Sequence, residues 1–116
     1  MYCSTFTFAK GEYDDQFFSL DNAISQVAKS IDGYAGEEAW SNTEDGLLSN
    51  TYYWHTMEAL QQLISHPLHI QAKQQQAKWL RGYQVVISKV LGTYGSTGMQ
   101  HPLAGHAMPL DAAIGR

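Results

Sequence analysis

Residues 50–95 read NTYYWHTMEALQQLISHPLHIQAKQQQAKWLRGYQVVISKVLGTYG, an aromatic segment, a broken helical segment and a long apolar-rich segment placed end to end. Asn50, Tyr52 and Trp54 alternate with Tyr53 and His55, so a strand here projects the first three from one face and the other two from the opposite face. Thr56 suits the cap of a short helix over residues 57–64. Pro67 suits the first turn of a second helix running toward Ala77, with the break near Ser65. Residues 83–94 then place Tyr83, Val85, Ile87 and Leu91 on one face of a strand and Val86, Val90 and Tyr94 on the other, so both faces are expected to be at least partly covered. His66-Pro67-Leu68-His69 opens the second helix where it can lie across the Asn50 and Trp54 face, which makes a polar and aromatic cleft the first site candidate.

Upstream, residues 2–8 alternate Tyr2, Ser4, Phe6 and Phe8 against Cys3, Thr5 and Thr7, the composition of a strand. Asp14 or Asp15 can cap a helix in which Phe17, Leu20, Ile24, Val27, Ala28 and Ile31 recur at spacings of three and four, ended by Asp32-Gly33. Residues 34–42 resume an extended pattern, and Glu44-Asp45-Gly46 turns the chain into a hairpin with residues 47–55. The order strand, helix, strand, strand, helix, strand predicts an α+β fold, the ferredoxin-like split βαβ arrangement, with the helices on one side of an antiparallel sheet. The other side then lacks a lid, and a homodimer formed sheet to sheet is the expected remedy.

Residues 1–95 make up this domain, and residues 96–116 form an irregular tail packed on the domain or on the partner subunit. Leu103, Met108, Leu110 and Ile114 are its candidate anchors.

A chain of 116 residues suits one domain. Its net charge of −4 and its seven Lys and Arg leave no basic stripe for phosphates, so nucleic acid is not an expected partner. Cys3 is the single cysteine. No internal disulfide can form, the strand position favours a small buried hydrophobe, and a reducing cytoplasm is the expected setting. No apolar run reaches membrane-spanning length and the N-terminus lacks a signal-peptide pattern, so no membrane partner is expected.

Several quoted segments together carry a family resemblance over residues 33–95. They are Gly33-Tyr34-Ala35-Gly36, Tyr53-Trp54, Glu58-Ala59-Leu60, His66-Pro67-Leu68-His69-Ile70-Gln71-Ala72, and Trp79 with Tyr83. In order and spacing they resemble the antibiotic-biosynthesis monooxygenase domain family, whose ferredoxin-like members form dimeric α+β barrels. The resemblance implies oxygenation of a small aromatic or quinone-type metabolite without metal or flavin. It also implies that Asn50 and Trp54 bind and orient that substrate, as an Asn and a Trp do on the corresponding strand of the cofactor-free oxygenases. Leu60 departs from the pattern by offering no side-chain hydrogen bond. The family also includes haem-degrading members that use a helix histidine. His69 is the nearest candidate for that role, although the first strand lacks the Asn those members place near haem.

Each candidate also has a plain structural reading. Trp54 also reads as a core aromatic between strand and helix, and Asn50 as an amide satisfied by backbone or water. Tyr52 can add a phenol to the cleft, and His69 can carry a proton near neutral pH. His66 reads as a helix-start residue. The His66 and His69 pair lacks a third metal ligand, so no metal is expected. Glu37 and Glu38 are neighbours in a strand and fall on opposite faces, which excludes a close carboxylate pair; His55 is assigned to the dimer interface. The expected site is therefore Asn50, Trp54 and His69, with Tyr52 and Trp54 binding a small hydrophobic ligand. A non-catalytic binding dimer is the reading from another class.

Overall fold

The computed structural model describes residues 1–96 and 98–106. The elements are β1 (Tyr2–Lys10), α1 (Asp15–Ser30), β2 (Tyr34–Asn42), β3 (Leu47–Trp54), α2 (Met57–Ile64), α3 (Pro67–Gln75), a 3₁₀ turn (Gln76–Lys78) and β4 (Leu80–Lys89). The four strands form one antiparallel sheet in the order β2-β3-β1-β4. This is the ferredoxin-like arrangement that the element order predicts.

Local chemistry sets the helix ends. Asp14 accepts from the Phe17 N–H at 2.8 Å to start α1, and Thr56 accepts from the Ala59 N–H at 3.1 Å to start α2. At α3 the cap is His66, whose Nδ1 accepts from the Leu68 N–H at 3.1 Å ahead of Pro67 in the first turn. Helix α1 stops at Ser30 and the chain turns through Gly33, at φ 103°.

Helices α1 and α2 close over one end of the sheet. Trp54 meets Ala28 of α1 and Ala59, Leu60 and Leu63 of α2 in the buried core, with Ile24, Val27, Tyr34, Tyr52 and Met57 packed around it. The other end of the same face is aromatic: Phe6 and Phe8 stack at 4.9 Å between centroids, and Phe17 of α1 lies 5.5 Å from the buried Trp79.

Two strand expectations are corrected. Strand β4 covers Leu80–Lys89 instead of residues 83–94, because its limits follow its partner: Lys10 pairs with Leu80 at one end of β1 and Tyr2 with Lys89 at the other. Nor are its two faces covered within the chain. β4 is an edge strand, and Tyr83, Val85 and Ile87 on the helix side are exposed, as is Val86 on the far side.

The sheet face away from the helices is also more polar than an apolar patch would be. Thr5 meets Thr51 at 3.0 Å, Thr7 meets Ser49 at 3.3 Å, and the Cys3 thiol lies 2.9 Å from the Ser88 hydroxyl. Cys3 is accordingly half-exposed and hydrogen-bonded where a buried hydrophobe was expected.

Part of the tail lies on this face of its own chain. Leu103 is 6% exposed, and the His101 Nε2 stands 3.5 Å from Glu38, which also accepts from Tyr53 at 2.7 Å and Trp40 at 3.1 Å. Burial alone would raise the Glu38 carboxyl, but the bonds from Tyr53 and Trp40, and then the His101 imidazole, outweigh it and hold it below the usual range. His55 lies 5.8 Å from His106, ring to ring, so a neighbour within its own chain already stands beside it. The anchors expected at Met108, Leu110 and Ile114 lie outside the described residues.

Gly36 ties the tail to β2. It sits at φ 134°, and a Cβ there would come 2.8 Å from the Pro102 Cβ. Gly36→Ala is therefore expected to destabilise the fold by about 1–3 kcal/mol, through backbone strain and displacement of Pro102. Gly46→Ala, also at positive φ but with nothing near its Cβ, isolates the backbone part. Urea unfolding of both variants is the measurement, and equal losses would remove the Pro102 contact from the account.

Candidate functional site

The register of the sheet arranges the helix-side face in rows. Tyr2, Trp54 and Tyr34 form one row, Ser4, Tyr52 and Glu37 the next, and Phe6, Asn50 and Ala39 the third. Asn50, Tyr52 and Trp54 thus share a face, as their alternation predicts, and Tyr53 points away to donate to Glu38.

Glu37 reaches this face through an irregularity. Tyr34 pairs with Trp54 but Gly36 pairs with Tyr53, so Ala35 is an extra residue that shifts the alternation of β2. Tyr34 and Glu37, three apart in sequence, therefore both face the helices, while Glu38 faces the tail. Residue-by-residue reading of the site missed Glu37. An isolated glycine inside a strand pattern is the signal that could have pointed to a bulge.

The rows differ in accessibility. Trp54 is 0% exposed and its Nε1 donates to the Ser4 hydroxyl at 3.4 Å, so its indole is a core group and presents no surface to solvent. The rings of Tyr34, Tyr52 and Trp54 form a triangle with centroid separations of 5.9, 5.9 and 6.3 Å. Tyr52 and Asn50 are half-buried, and the Asn50 amide has no side-chain hydrogen bond among the described residues. Asn50, Tyr52 and Glu37 are thus the partly exposed polar groups of this face, and the indole is buried.

Electrostatically, Glu37 dominates this corner. Burial, then the Glu37 charge and hydrogen-bonding, push the Tyr34 phenol up to about 12, and the same causes raise Tyr52 further. Both phenols therefore stay protonated donors at neutral pH. Lys29 of α1 stands 3.8 Å from the Glu37 carboxylate, and Asp21 of the same helix is held above its ordinary range by partial burial and then by Glu37.

His69 lies in α3, which packs on α1 and α2, and outside the cluster around Trp54. Its Nδ1 is buried without a protein partner. Burial holds the imidazole below its usual range; a bond to the Ile64 backbone opposes this, and Lys73 and His66 act with it. Burial thus favours the neutral imidazole, and its Nδ1 is enclosed by the protein.

Two surface depressions accompany these groups. One, of about 510 Å³, lies between the end of α1 and the α2–α3 junction and includes Val27, Asp32, Gln62 and His66. The other, of about 270 Å³, lies near the β2–β3 turn and includes Trp40 and Leu47. Neither is lined by Asn50, Tyr52, Trp54 or His69. Among the described residues no group of three or more His, Cys, Asp or Glu is placed to hold a metal, and no helix is long and apolar enough to cross a membrane.

No protein-family model matches the sequence, and no curated protein matches it. Solved structures do match. Rv0793 from Mycobacterium tuberculosis aligns at 16% identity over 81% of this chain and 98% of its own, with a TM-score of 0.67. A Deinococcus radiodurans protein provisionally named an antibiotic biosynthesis monooxygenase aligns at 18% identity over 84% and 100%, with a TM-score of 0.68. Both share the ferredoxin-like fold of this chain. A variant of SnoaB, a cofactor-independent oxygenase from Streptomyces nogalater, adds a TM-score of 0.66 at 9% identity, over 82% of this chain and 97% of its own. At these identities the likeness is one of fold.

Proposed function

We propose that this chain is a cofactor-independent monooxygenase that acts on a small aromatic or quinone-type metabolite. The observation that carries this reading is the Asn50 amide, half-buried, without a side-chain hydrogen bond among the described residues, and one row from Tyr52 on the same strand face. In this reading Asn50 donates to the oxygen of a phenol, Tyr52 lines the face beside it, and Trp54 holds this end of the strand in the core. The fold shared with an oxygenase named as cofactor-independent supports the reading.

The overall change needs only dioxygen. A naphthalenediol and one O₂ give a hydroxynaphthoquinone and one water: one oxygen atom enters the ring and the other leaves as water. Oxygen uptake and quinone absorbance with metal-free protein and a naphthalenediol test the proposal, and binding without uptake would establish the non-catalytic binding class instead.

A second copy of the chain is the proposed partner, joined through β4. Val85 and Val86 on opposite faces of this edge strand are 45% and 54% exposed, and an unpaired, apolar strand edge is a ready surface for pairing. Sedimentation at micromolar protein is expected to give a dimer that Val86→Lys weakens. A well-folded wild-type monomer would overturn this.

A further inference from the structure

We infer that Glu37 is a specificity-determining residue of this face, one that selects uncharged hydroxyl-bearing aromatics and rejects aromatic carboxylates. The inference takes the ligand face from the proposed function but does not depend on turnover. Three observations carry it.

First, the extra residue at Ala35 turns Glu37 onto the helix side, directly across from Tyr52 and one row from Asn50. Second, the carboxylate is accessible while the Trp54 indole is not; its side chain is about one-third exposed, so a ligand seated against Asn50 and Tyr52 meets it. Third, the charged groups around it do not balance. Asp21 and Lys29 face it from α1, and Tyr34 and Tyr52 face it from β2 and β3 as neutral phenols. Two carboxylates against one ammonium leave the corner with one net negative charge.

A neutral hydroxyl can donate to Glu37 in a charge-assisted bond, whereas a ligand carboxylate meets repulsion that partial burial leaves incompletely screened. Such discrimination comes from the repulsive element, and here that element is Glu37. Lys29 alone would attract a carboxylate, but it is already engaged by Glu37 at 3.8 Å.

The experiment compares the binding of naphthol and naphthoate, followed by intrinsic fluorescence. Wild-type protein is expected to prefer naphthol, and Glu37→Gln to shift the ratio of the two dissociation constants toward naphthoate by about tenfold or more. Asp21→Asn should shift it the same way by less, which keeps the test alive should Glu37→Gln fail to fold. Adding Lys29→Ala to Glu37→Gln should reverse much of the gain. An unchanged ratio in folded Glu37→Gln protein, or a wild-type preference for naphthoate, would overturn the inference, as would failure of wild-type protein to bind naphthol. Naphthol binding with the expected ratios but no oxygen uptake with a naphthalenediol would leave this inference standing and remove the oxygenase reading alone.

Discussion

Trp54→Ala is expected to destabilise the protein by about 3–5 kcal/mol, the usual cost of emptying a buried aromatic site. The indole is fully buried between β3 and helices α1 and α2, touching Ala28, Ala59, Leu60 and Leu63. Those neighbours cannot collapse into the space. Ala28 and Ala59 have no side-chain length to spare, and Leu60 and Leu63 are held in α2, whose start is fixed by Thr56. The bond from Nε1 to Ser4 is lost as well, which adds a smaller contribution. Urea unfolding measures the change; a loss below about 1 kcal/mol would mean that the pocket around Trp54 is loosely packed and free to take a ligand. The corollary concerns activity. Loss of turnover in Trp54→Ala carries no information about chemistry, and Trp54→Phe is the variant that keeps the wall while altering the ring.

The second large effect is expected on turnover. Asn50→Ala should lower the rate of quinone formation by about 10²–10³-fold, the typical consequence of removing one positioned donor to a developing oxyanion. Stability should change by less than about 1 kcal/mol, because Asn50 gives up no side-chain hydrogen bond among the described residues and is only half-buried. That separation between activity and stability is what distinguishes a substrate-facing amide from a structural one. His55→Ala supplies the control, since His55 lies just beyond β3 and neighbours His106. Equal turnover in Asn50→Ala and His55→Ala would take Asn50 out of the site. A loss of several kcal/mol in Asn50→Ala would return it to the plain structural reading.

Much of this architecture is legible residue by residue, because the determinants are local. Asp14, Thr56 and His66 cap their helices with bonds to N–H groups two or three residues away, so their roles are contained in short stretches of chain. The alternation of Asn50, Tyr52 and Trp54 survives in the fold because β3 runs without interruption beside β1. β2 and α2 likewise begin and end where turn residues and caps place them.

What only the tertiary structure decided is everything that depends on a distant partner. The limits of β4 follow from where β1 runs out, and the exposure of its apolar residues follows from its position at the sheet edge. Trp54 is core instead of cleft surface because α1 and α2 close over its row. Glu37 faces the same interior because one extra residue at Ala35 is absorbed against β3, with Gly36 free to adopt the backbone this requires and Pro102 resting on it. A side chain's face is set by alternation only while the register holds, and register belongs to the pair of strands, which no single segment contains.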